Sequence, residues 1–155
     1  MRHIEIVATV PGHMPDEVFP ALCDYRRWPE MTDAIKSVKI LEEEGNRTVS
    51  EWEASFNRGL LKWTEVDYFH PDTHTINFDQ TGGDIDTFKG DWTVESMDGG
   101  SMVRFVADLD LGIPGLNDML EPIAEQALRS NVRSILSGLF AVPVELEPVG
   151  QPLGT

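Results

Sequence analysis

The sequence predicts an α+β domain in which a curved antiparallel sheet of seven strands wraps around one long C-terminal helix. Three observations predict it. Alternation of period two runs from about residue 35 to 111, short turns break it at regular intervals, and helical periodicity takes over from Leu116 to about Phe140. Connections this short cannot make parallel crossovers, so the strands run antiparallel. One helix cannot cover a sheet this wide unless the sheet curls around it. A cavity of ~300–1,000 Å³, mostly apolar with a few placed polar groups, is expected between them.

The elements follow in order. Residues 3 to 11 alternate and stop at Pro11-Gly12. Pro15-Asp16-Glu17 opens a short helix with Val18, Leu22 and Tyr25 on one face, and Trp28-Pro29 ends it. Ile35 to Leu41 is a strand, Glu42 to Asn46 a charged turn, and Val49 to Phe56 a strand. Asn57-Arg58-Gly59 is a hairpin signal. The strands Leu61–Phe69, Thr75–Gln80, Thr87–Glu95 and Met102–Leu111 follow. Gly90, between Phe88 and Trp92, signals close approach of another segment, the long helix being the expected one. From Leu116 to Phe140, Leu120, Ala124, Leu128, Asn131 and Ile135 share one side of a helix about 36 Å long. The domain spans 1–142. The Pro- and Gly-containing tail, 143–155, is expected to fray and to contribute little stability.

The 155 residues suit one domain, and 41% hydrophobic content suits a folded core. Acids outnumber bases 27 to 12, a net charge of −15, which repels phosphate backbones and anionic lipid. No nucleic-acid or membrane partner is expected; a homodimer is compatible with the sequence. No run approaches a membrane span or the apolar core of a signal peptide, so the expected location is cytoplasmic. The single Cys23 rules out an internal disulfide, and the four scattered histidines have no metal-ligand spacing. Asp84-Ile85-Asp86 and Asp108-Leu109-Asp110 read as solvated turn or strand acids. Gly82-Gly83 lacks the lysine of a phosphate loop, and no Gly-x-Ser-x-Gly occurs. No metal and no cofactor is expected.

Trp28-Pro29-Glu30, Trp63-Thr64-Glu65, Phe78-x-Gln80, Gly83-Asp84, Gly90-x-Trp92 and the long last helix together resemble the START-like (SRPBCC) superfamily and its helix-grip fold. The likeness runs from residue 3 to about 140 and is greatest to the polyketide cyclase/dehydrase (aromatase/cyclase) proteins. It implies a pocket lined by Trp28, Trp52, Trp63, Phe88, Trp92 and Phe105, with Asn131 reaching in from the helix. The chain departs from those enzymes where they carry polar pocket groups. Phe69 and Gln80 stand at the places of two arginines and Ile35 at that of a tyrosine, so an arginine-based enolate stabiliser is missing.

Alternation puts Trp63, Glu65, Asp67 and Phe69 on one face of their strand and Thr64, Val66 and Tyr68 on the other. Alternation alone leaves open which face is inside; the resemblance implies the acids. Buried together, Glu65 and Asp67 would have raised pKa values and suit general acid or base work in enolisation, aldol closure or dehydration. Gln80 shares a face with Ile76 and Phe78, and either satisfies a neighbour or meets a ligand carbonyl. The resemblance therefore implies a cyclase/aromatase acting on a polyketide or related apolar substrate. The alternatives are a non-catalytic carrier of a quinone, lipid or polyketide, and a protein-interaction module on the same fold.

Overall fold

The computed structural model describes residues 1–56 and 59–147. Strand β1 (Arg2–Pro11) leads into helix α1 (Pro15–Cys23), a single 3-10 turn at Tyr25–Arg27 and the short helix α2 (Trp28–Met31). Strands β2 (Ile35–Glu44), β3 (Arg47–Phe56), β4 (Gly59–His70), β5 (Thr75–Gly83), β6 (Thr87–Met97) and β7 (Gly100–Asp110) form a meander. Helix α3 (Asn117–Phe140) and a two-residue strand β8 (Glu145–Leu146) complete it. The sheet order is β2-β3-β4-β5-β6-β7-β1-β8, and every pairing is antiparallel. The seven expected strands are present and gain β8 at one edge.

Most boundaries extend the expected ones by a few residues, and three differences have physical causes. Trp28-Pro29 begins a helix instead of ending one. A proline in the first turn lacks only an N–H that has no intrahelical partner, so the position is permissive. Glu42, Glu43 and Glu44 continue β2, with the turn confined to Gly45 and Asn46; all three acids stay exposed on an edge strand. The segment pressed against Gly90 is β7 and not the helix. A Cβ there would meet the Val106 carbonyl oxygen at 1.8 Å. The Asn57-Arg58 hairpin signal lies outside the described residues.

Curvature comes from the sheet itself. Between β4 and β5 the register shifts by one residue, Thr64 pairing with Gly82 and Glu65 with Gln80, so Thr81 is the extra residue of a bulge. A bulge bends its strand and increases local twist. On β7, Val103, Phe105, Ala107 and Leu109 are buried while Met102, Arg104, Val106 and Asp108 alternate outward. Arg104 accordingly lies on the outer face, near Glu5. The buried face of α3, including Ala124, Val132, Ile135 and Leu136, packs into the concave side.

The chain beyond 143 does not fray at once. Val144 is 6% exposed, and β8 pairs with Ala8 and Thr9 of β1. The Glu147 amide donates to Val7 O at 2.9 Å, and the buried Arg129 guanidinium donates to the Glu147 carbonyl. A buried apolar side chain and a partner for a buried cation outweigh the tail's proline content. Residues 148–155 lie outside the described residues. Cutting the chain after Pro143 should cost about 3 kcal/mol through lost burial and an unpaired arginine, roughly a 10 °C fall in Tm. A thermal melt of the truncated protein checks this, and an unchanged Tm would mean the contacts are immaterial.

Candidate functional site

The site begins on β4. Tyr68, on one face, is 45% exposed, while Glu65 and Asp67, on the other, are 6% and 1% exposed. The acids therefore face inward. Their neighbours are apolar because the concave side collects the inward residues of β3 to β7. Trp52 of β3 lies opposite Trp63 of β4, and the two indoles stack with centroids 6.0 Å apart and planes within 4°. From Trp63 ring contacts pass to Phe88, Phe78, Phe105 and Trp92, then through Trp28 back to Trp52, with centroids 4.6–6.1 Å apart. Such a closed circuit of tilted and stacked rings forms a stiff wall.

Between this wall and α3 lies a cavity of about 140 Å³. That is smaller than the 300–1,000 Å³ expected, because six large aromatic side chains fill much of the interior. Apolar cavities of about 150 Å³ take up a molecule the size of benzene, so the space seats one ring. Trp52, Trp63, Phe78, Phe88, Trp92, Phe105 and Asn131 line it, as does Glu65. Four other expected residues do not. Trp28 closes the ring circuit without lining the cavity, its indole nitrogen donating to Leu22 O at 3.2 Å. Phe69 packs on Tyr25, with centroids 5.7 Å apart. Asp67 is turned toward Tyr25. Gln80, directly opposite Glu65 on β5, is drawn to the β5–β6 connection, where its Nε2 donates to Asp86 O at 3.4 Å and its buried Oε1 has no partner.

That connection also supplies a wall residue which alternation could not locate. Asp84 is stapled to β4 by two bonds with the backbone of Lys62, at 2.8 and 2.9 Å, and this carries Ile85 inward. Asp84 is therefore a structural turn acid, as expected. Among the described residues no cluster could hold a metal ion.

The polar centre is made of four groups, two acids and the two donors that hold them. Tyr25 Oη donates to Asp67 Oδ2 at 2.6 Å, and Trp63 Nε1 donates to Glu65 Oε1 at 2.9 Å. With both acids ionised, Asp67 Oδ1 would be buried without a donor. The Glu65 carboxyl, when protonated, can supply one. Burial pushes Glu65 well above the usual carboxylate range, and the charge of Asp67 pushes it further, against the indole bond that favours its ionised form. Burial also raises Asp67, but the bonds from Glu65 and Tyr25 hold it back. Both carboxyls are thus raised, Glu65, on the cavity side, the more strongly. Burial, then the Asp67 charge, raises the Tyr25 phenol well above its ordinary value. The same causes push the Cys23 thiol up to about 12, leaving it protonated and inert.

Tyr25 was missed as a site residue, although a signal existed. A tyrosine on the apolar face of a helix, with Val18 and Leu22, must find a partner for its hydroxyl once buried. Nothing in the sequence said that the partner would be Asp67.

Against solved structures, the chain is similar to a protein of Thermus thermophilus (TM-score 0.81, 23% identity, 90% of this chain and 95% of that one). It is also similar to an aromatase/cyclase of a Streptomyces species (TM-score 0.79, 19% identity, 89% and 93%). A START superfamily protein of Mycobacterium smegmatis aligns at TM-score 0.73 and 14% identity, over 88% and 97%. Identities this low speak to the helix-grip fold alone. A sequence search of curated proteins finds no match. The model of the family described as polyketide cyclase/dehydrase and lipid transport matches residues 12–136. With that match over most of its length and the helix-grip fold around an apolar cavity, the chain belongs to the polyketide cyclase/dehydrase and lipid-transport family.

Proposed function

We propose that this protein is a cyclase of the polyketide cyclase/aromatase type. It seats one ring of a polyketide-like or related apolar substrate in the cavity and promotes ring closure or dehydration by proton transfer at Glu65. One observation carries the reading: among the described residues a single ionisable side chain, Glu65, nearly sealed from water and on the same strand face as a second buried acid, stands in a mostly apolar wall. Protonated Glu65 donates to a carbonyl oxygen as the adjacent carbon is enolised, or to a departing hydroxyl so that it leaves as water. As a carboxylate it takes up the proton lost from carbon, while Asp67, held by Tyr25, keeps the carboxyl oriented. General acid–base help of this kind supplies about 10²- to 10⁴-fold, and holding the reacting carbons together supplies more.

The test uses acetophenone, a one-ring ketone, in D₂O. The parent protein should accelerate deuterium exchange at its methyl group, and Glu65→Gln should lose about 10²-fold or more of that acceleration while still binding the ketone by tryptophan quenching. Exchange unaffected by Glu65→Gln would refute the catalytic role. The second reading, a non-catalytic carrier of an apolar ligand, is favoured by one feature: among the described residues no Arg, Lys or His lines the cavity to stabilise an enolate. Unaltered binding without any exchange in the parent would establish it.

A further inference from the structure

The acid pair is buried and, among the described residues, has no counter-cation. Among the described residues neither Glu65 nor Asp67 forms an ion pair, although five carboxylates elsewhere pair with an arginine or lysine. The titratable groups around Glu65 are Asp67 on its own strand, Tyr25 from the turn after α1 and, beyond Asp67, Cys23 at the end of α1; none is cationic. Buried charges in proteins are ordinarily paired. Glu65 accepts one bond, from the Trp63 indole, and otherwise opens onto the cavity. The walls there are tryptophan rings, Trp52, Trp63 and Trp92, whose faces attract cations. A net charge of −15 raises cation concentration at the surface and lowers that of anions.

We propose that the cavity also takes, in place of the apolar substrate, a protonated amine carried on a single aromatic ring, an arylalkylammonium whose nitrogen pairs with Glu65. The proposal rests on the reading that Glu65 faces the bound molecule, and adds a second ligand class for the same cavity. The exchange balances: the ammonium enters, Glu65 gives up its proton to solvent, and the buried site keeps the same net charge. A ring of that size matches about 140 Å³. A neutral isostere leaves the anion unpaired, and an anionic one adds a second uncompensated charge.

Three probes of nearly equal shape separate these cases on the parent protein: 2-phenylethylammonium, 2-phenylethanol and 3-phenylpropionate. Calorimetry at pH 6, in buffers of different ionisation enthalpy, reads both affinity and protons released. The ammonium should bind at least tenfold more tightly than the alcohol and release close to one proton, while the propionate should not bind measurably. Its affinity should then rise as pH climbs through the titration of Glu65. Glu65→Gln, isosteric and checked by circular dichroism, should abolish both the proton release and the preference for the amine. Equal binding of alcohol and amine, amine binding without proton release, or binding of none of the three would overturn the inference. The two readings fail separately. If the alcohol binds as well as the amine while Glu65→Gln still abolishes acetophenone exchange, only the charge of the ligand is wrong. If the amine releases its proton while exchange ignores Glu65→Gln, only the acid–base role is wrong.

Discussion

Gly90→Ala should leave little folded protein. The added Cβ would lie 1.8 Å from the Val106 carbonyl oxygen and 2.8 Å from the Ala107 Cα, both backbone atoms of β7. A flexible side chain could swing away from such a clash; a paired strand cannot. Gly90 is held on both sides, opposite Phe78 in β5 and Ala107 in β7, so relief requires breaking the β6–β7 or β5–β6 pairing. The same displacement would move Phe88 and Trp92, which flank Gly90 and belong to the cavity wall. A cost of about 4 kcal/mol or more is expected, a large part of the 5–15 kcal/mol that typically holds a domain together. Urea titration of Gly90→Ala checks it. A midpoint within experimental error of the parent's would show that the two strands separate easily, and with that the rigid wall would be lost.

Glu65→Gln should stabilise the protein, increasingly so as pH rises. The folded-state pKa of Glu65 is raised by burial and by the Asp67 charge above its unfolded value of 4.5. The folded protein therefore binds the proton more tightly than the unfolded chain. No penalty exists below pH ~4.5, and stability is lost as pH rises from there through the raised folded-state value. Asp67, raised from 3.8, adds a loss of the same sign. A glutamine amide has no charge to desolvate. It can still accept from Trp63 and donate to Asp67, so the structural bonds survive. The expected gain is about 1–3 kcal/mol at pH 8 and close to nothing at pH 4. Thermal melts of parent and variant across that range give the difference directly. Repulsion among the surface acids destabilises both proteins alike and cancels. A variant less stable than the parent at pH 8 would mean that Glu65 is ionised and well solvated in the folded state. Stability given up at neutral pH to keep an acid pair in a dry place is what a functional site looks like, since removing the charge costs the fold nothing.

Alternation and turn chemistry are local properties, and they were legible. They placed seven strands, a long helix close to its observed limits, and a helix side in which Ala124, Leu128, Asn131 and Ile135 do face the cavity. Period two also put Glu65 and Asp67 on one face, although only the exposure of Tyr68 decides which face is inside. Three further features needed the assembled sheet. The bulge at Thr81 and the stapled Asp84 turn carry Ile85 into the wall and leave Gln80 outside it. Residues 145–147, the first part of the tail expected to fray, are held by Arg129 and β1.

By itself the sequence determined the succession of elements, the antiparallel pairing, the absence of a cavity cation at positions 69 and 80, and the inward candidates on β4. Tertiary structure alone decided what each inward residue meets. It set the cavity at one ring, because neighbouring strands bring aromatic side chains within about 6 Å of one another. It also separated the two acids, giving Glu65 to the cavity and Asp67 to Tyr25, whose hydroxyl reaches it from 42 residues away. Periodicity is written in neighbouring residues and can be read one segment at a time. A pKa depends on whatever stands within a few ångströms in space, and that is known only once the sheet has curled.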